Sequence, residues 1–119
     1  KTRPMNVTIY HNPLCSKSRA TLELLRARGI EPTIIEYLKT PPTRDQLEKI
    51  LGFLGIRAID LARRKEAAWI EAGLNDDSDD DAILDAMVDH PIIIERPIVV
   101  SSGAAAIGRP PENVNLLFD

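Results

Sequence analysis

The first third of the chain constrains its fold most. A short β-branched and aromatic run, Val7 to Tyr10, gives way through the loop His11 to Leu14 to an amphipathic segment, Ser16 to Arg28. A second strand-like run, Thr33 to Tyr37, follows. In the middle segment Ser18, Leu22 and Leu25 share one stripe while Arg19, Glu23 and Arg26 share another, which is helical spacing, and Gly29 supplies the stop. Two strands joined through one helix are most simply parallel, with a right-handed crossover. The sequence therefore predicts a βαβ unit.

What comes next is helical. "TPPTRDQLEKILGFLG" opens on a proline turn, offers Thr43 as a cap with Gln46 three residues on, and carries Leu47, Ile50, Leu51 and Leu54 at helix spacing. Ile59 to Arg63 and Glu66 to Ala72 read as further short helices, the second closed by Gly73. The acidic run "NDDSDDD" leads into the periodic Ile83, Leu84, Met87 and Val88. Carboxylates are stabilised at a helix start, so this run is read as a solvated first turn rather than a cation loop. Ile98 to Val100 and Ala104 to Ile107 then flank an "SSG" turn, which is a hairpin signal, and Pro110 and Pro111 suit the start of a last helix. Pro97 has no N–H to give a ladder, so it belongs at a strand start. The pattern admits a cis Arg96–Pro97 bond there without choosing the isomer.

The order β-α-β, helices, β-β-α combines a parallel pair with an antiparallel pair. The expected class is α/β: a thioredoxin-like mixed four-stranded sheet flanked by helices, with a helical insertion between the βαβ and ββα units. Residues 5–118 are expected to form this as a single domain. Lys1 to Pro4, ahead of Met5, are read as a vector remnant or an N-terminal extension.

Composition removes several classes of function. A formal net charge of -3 offers no broad basic footprint for nucleic acid. No apolar run approaches the roughly 18 to 20 residues needed to span a bilayer, and "KTRPMNVTIY" lacks a signal-peptide core, so no membrane role and a cytoplasmic location are expected. With 1 Cys and 2 His in 119 residues, neither an internal disulfide nor a structural zinc site is expected, and no metal is assigned.

That one cysteine, Cys15, stands at the junction of loop and helix. Free backbone N–H groups at a helix start, with Lys17, Arg19 and His11 near in sequence, lower a thiol pKa and make the sulfur nucleophilic. Cysteine is also a small apolar residue that packs inertly in cores. The junction, flanked by Pro13, Ser16 and Lys17, favours the reactive reading. Three positions on stands Ser18, so the motif is C-x-x-S and no second thiol can resolve a mixed disulfide; turnover needs an external thiol. Six positions on stands Thr21, so this is not a C-x5-R phosphate loop either. Cations for an oxyanion would have to come from elsewhere. The candidates are Arg96, Arg109, and Arg63 or Arg64 in "LARRKE", since the planar guanidinium donates paired hydrogen bonds.

"IYHNPLCSKSR", "EYLKTPPTRDQL", "IERPIVV" and "IGRPPE", in that order from about Met5 to Phe118, resemble the glutaredoxin-dependent arsenate reductase family and its small arsenate-reductase-related branch. The resemblance implies a thioredoxin-like domain in which Cys15 is the nucleophile and Arg96 and Arg109 are oxyanion ligands. Arg63, rather than the adjacent Arg64, is implied as the third. His11 matches the family histidine near the nucleophile, either tuning the thiolate or packing the loop. The implied reaction reduces arsenate to arsenite with glutathione as co-substrate, glutaredoxin as partner and no bound cofactor. The chain ends at Asp119, soon after "GRPPE", whereas the longer reductases carry an extension. This leaves a C-x-x-S glutathione-linked thiol oxidoreductase, acting on another oxyanion or a mixed disulfide, as the alternative. A polymerase-binding regulator branch of the family senses oxidation through C-x-x-C, which Ser18 removes here.

Overall fold

The computed structural model describes residues 6–118, so the expectation for Lys1 to Pro4 lies outside it. The β-branched run at the start forms β1 (Val7–His11), whose Val7 and Ile9 are buried. The amphipathic segment forms α1 (Ser16–Ala27), which buries Ser18, Thr21, Leu22 and Leu25. Arg28 is its C-cap, and Gly29 follows at φ 79°, the left-handed conformation that ends a helix without a Cβ clash. The chain returns as β2 (Thr33–Glu36), parallel to β1 with Ile9 opposite Ile34.

β3 (Ile98–Ser101) runs antiparallel to β1 on its other side, and β4 (Ala104–Ile107) pairs antiparallel with β3. The sheet order is β2-β1-β3-β4, the mixed four-stranded arrangement expected from the sequence. Ser102 and Gly103 join β3 to β4 at φ 50° and 82°. Two left-handed central residues match the twist of a tight hairpin, which explains the "SSG" signal.

The chain divides into two compact units. One is built from the chain up to Tyr37 and from Arg96 onward, and holds the whole sheet. Val7, Ile9, Leu22, Leu25, Val99 and Val114 form its core, with Leu117 and Phe118 packed against them. Full burial of a side chain such as Leu25 is worth about 1.5–3 kcal/mol.

The other unit, Leu38–Glu95, is the expected helical insertion. It contains α2 (Arg44–Leu54), α3 (Ala58–Leu61), α4 (Ala67–Glu71) and α5 (Asp80–Asp89), then a 3-10 turn, Pro91–Ile93. Thr43 and Gln46 form a reciprocal capping box at the start of α2. The acidic run likewise serves local structure. Asp79 caps α5 by accepting from the Ala82 N–H at 2.9 Å, and Arg44 of α2 pairs with Asp81 and, at 2.6 Å, with Asp85.

Two segments depart from the sequence reading, and a third, the isoleucine run after His90, carried no expectation. The helix expected over Ile59 to Arg63 ends at Leu61, because Ala62 bridges to Ile94 and the Arg63 N–H donates to the Ile93 carbonyl at 2.7 Å. A cross-chain partner there wins over continuing the turn. The isoleucine run after His90 opens as a 3-10 turn, with Pro91 at its start where the missing N–H costs nothing. The last helix, Pro111–Leu117, is 3-10 rather than α. Val114 and Leu117, three apart, share its inward side, and a three-residue period aligns them. No helix among the described residues is long and apolar enough to cross a membrane.

Candidate active site

The site begins where β1 hands over to α1. Cys15 is the N-cap of α1 in extended backbone, φ -95° and ψ 123°, and its side chain makes no capping bond. The sulfur is therefore left beside the first-turn N–H groups without being consumed by them as a conventional cap. The loop before it is tied at several points. The Cys15 N–H donates to the Asn12 carbonyl at 3.0 Å, and the Leu14 N–H donates to Asn12 Oδ1 at 3.0 Å. Arg19 Nη1 donates to the Pro13 carbonyl at 2.9 Å.

The β3–β4 hairpin brings the arginines. Arg96 stands just ahead of β3 and Arg109 just beyond β4, and the Gly108 N–H donates to the Pro97 carbonyl at 2.9 Å, closing the hairpin base between them. Both arginines precede cis prolines, Pro97 and Pro110. Arg109 Nη1 lies 3.8 Å from Cys15 Sγ and donates to the Arg96 carbonyl at 3.3 Å. The Arg96 guanidinium also hydrogen-bonds to the sulfur.

Close approach of the hairpin base to α1 requires a glycine. A Cβ on Gly108 would collide with Thr21 Oγ1 and lie 2.8 Å from Pro97 Cγ. Thr21 Oγ1 itself donates to the Lys17 carbonyl at 2.8 Å.

Burial, the largest single influence, pushes the Cys15 thiol up. The Ser18 N–H, the Arg96 guanidinium and the Lys17 N–H outweigh it together, and the thiol sits below its ordinary range. His11 is buried, and desolvation pushes it below the usual imidazole value; Glu36 opposes this while Arg26 and Arg19 reinforce it. The ring is thus held neutral.

Of the residues singled out from the sequence, Cys15, Arg96 and Arg109 are brought together, and His11 lies in the same unit, tied to the first turn of α1. Arg63 belongs to the helical unit. There its Nε donates to Glu66 at 3.2 Å and its Nη1 to Glu95 at 2.7 Å. Arg64 is half exposed and pairs with the exposed Asp76 at 3.0 Å.

Sequence reasoning missed two polar residues here. Asn12 is buried and shapes the loop, while Ser18 is wholly buried and bonds to both His11 and Asn12. The available signal was Ser18's place on the same stripe as Leu22 and Leu25, because a buried hydroxyl must find partners.

Residues 10–117 match the ArsC family. The arsenate reductase of Escherichia coli strain K12 is 50% identical over 110 residues, covering 92% of this chain and 78% of that protein. The uncharacterized protein YfgD of the same strain is 51% identical over 110 residues, covering 91% of this chain and 92% of its own. The solved structure of the arsenate reductase from Vibrio cholerae superposes with a TM-score of 0.93 at 46% identity, covering 98% of this chain and 100% of that one. The chain belongs to the ArsC family.

Proposed function

We propose that this protein reduces arsenate to arsenite, with Cys15 as nucleophile, Arg96 and Arg109 as oxyanion ligands, and glutathione and glutaredoxin as the external thiols. The observation that carries the reading is the convergence of two guanidinium groups on one helix-cap thiol. An anionic tetrahedral substrate placed there meets fixed positive charge where its own charge is greatest, with a thiolate within reach of the central atom.

The Cys15 sulfur forms a bond to As(V), and one arsenate hydroxyl takes a proton and leaves as water. Glutathione's sulfur bonds to arsenic in this adduct as a second hydroxyl takes a proton and leaves as water. The glutaredoxin thiolate then attacks the glutathione sulfur; the glutathione–arsenic bond breaks, its electron pair stays on arsenic, which becomes As(III), and the two thiols leave as one disulfide. Water adds to arsenic as the Cys15–arsenic bond breaks, so arsenite leaves and Cys15 returns as thiolate. The net balance is arsenate plus two thiols giving arsenite, one disulfide and one water. A single cysteine in 119 residues supports the external source of both reducing thiols.

Arg63 is the proposed third ligand. Glu66 and Glu95 hold its guanidinium in one orientation, whereas the Arg64 side chain ends in an exposed pair with Asp76. His11, neutral in its buried place, is assigned to holding the cap geometry rather than to proton transfer.

Arsenite formation measured by speciation, with glutathione and glutaredoxin omitted in turn, tests the scheme. Conversion requires both. Conversion of a glutathionylated substrate with none of arsenate would replace this reading with the thiol oxidoreductase alternative.

A further inference from the structure

Ser18 is wholly buried, and its hydroxyl is at the crossing of three elements. Its Oγ accepts from the Asn12 N–H at 3.0 Å and lies 2.6 Å from Nδ1 of His11, the last residue of β1. The hydroxyl proton of a residue with no solvent contact needs an acceptor, and the neutral ring offers one at Nδ1. In that assignment Oγ–H donates to Nδ1, the ring proton sits on Nε2, and Ser18 has no idle polar atom. The same residue's backbone N–H is among the groups that hold the Cys15 thiol pKa down, although it makes no capping bond to the sulfur. One residue in the first turn of α1 thus ties the strand end to the loop through its side chain and faces the nucleophile with its main chain.

We propose that Ser18 is a positioning residue for Cys15: its hydroxyl locks the strand end and the loop onto the first turn of α1, and this fixes the N–H groups that face the sulfur. The proposal rests on the proposed function only in treating Cys15 as the nucleophile. C-x-x-S here is then not merely a motif that has lost a second thiol. The serine supplies a joint that a cysteine, with its longer and weaker hydrogen bonds, supplies poorly. Other charged groups act on the pair and must stay constant in any test. Arg96 hydrogen-bonds to the sulfur and Arg109 approaches it from the hairpin base, while Glu36 of β2 and Arg19 and Arg26 of α1 act on His11.

The test is the pH profile of Cys15 alkylation by iodoacetamide in the whole chain, without arsenate. Ser18→Ala raises the midpoint by about one unit, an about tenfold loss of rate well below it, and Ser18→Thr, which retains the hydroxyl, restores it. A merely structural serine would lower the melting temperature and leave the midpoint in place. That result in folded Ser18→Ala, or a raised midpoint in folded Ser18→Thr, overturns the proposal. Should neither variant fold, His11→Ala removes the other end of the bond: a raised midpoint supports the joint, and an unmoved one overturns it. Arsenate turnover by the unsubstituted chain, measured in parallel, judges the proposed function separately, because the alkylation midpoint does not depend on it.

Discussion

Arg109 Nη1 lies 3.8 Å from Cys15 Sγ across 94 positions of sequence. The contact joins two features of the same unit: the handover from β1 to α1, which presents the sulfur, and the β3–β4 hairpin, whose base carries Arg96 and Arg109. β1 pairs with β3 along the whole of the latter strand, so the sheet itself ties the loop that carries Cys15 to the hairpin that carries the arginines.

Removing either arginine should weaken arsenate binding selectively. A hydrogen bond to a charged group is worth about 1.5–3 kcal/mol, so Arg96→Ala and Arg109→Ala should each raise the KM for arsenate by about 10-fold or more. Arg26, paired with Glu31 on the exposed side of α1, is the control, and Arg26→Ala should leave it unchanged. Steady-state kinetics on the three variants decide this, and equal effects would contradict an arginine clamp.

The depressed Cys15 thiol should also appear in stability. Its folded pKa is lowered from the ordinary thiol value, so thiolate stabilisation is fully present above the unfolded value and is lost as pH falls through the folded one. Between those two values the unfolded chain binds more protons, and stability rises with pH. Urea melts of the unsubstituted chain and of Cys15→Ser across that window should show a positive slope that the variant lacks. Parallel slopes would contradict a depressed thiol.

Gly108→Ala should destabilise the hairpin base. The added methyl group meets Thr21 Oγ1 and Pro97 Cγ, and overpacking of this kind costs about 1–3 kcal/mol. Thermal melts should show a lowered Tm. An unchanged Tm would mean that α1 and the hairpin base separate freely.

Much of this was legible in the sequence because it is encoded locally. The periods of β1 and α1, the stop at Gly29, the Thr43 and Gln46 capping box and the Ser102–Gly103 turn each follow from residues within a few positions of one another. The placement of Cys15 at a helix cap came through the same route. What depended on distant partners did not. Ala62 and Arg63 leave the helix because Ile93 and Ile94 lie beside them, and Ser18 becomes a joint only once the end of β1 is beside α1. Arg96 and Arg109 could be picked from the other arginines only through their motifs, since surface arginines share their composition and their local spacing is uninformative.

The central claim is that the Cys15 thiolate carries arsenate reduction. Its most direct test is NADPH consumption in a mixture of the protein, glutathione, glutaredoxin and glutathione reductase, with and without arsenate, beside Cys15→Ser. The account predicts arsenate-dependent consumption that the folded variant loses entirely. Equal consumption by the variant, or none by the unsubstituted chain, would contradict it.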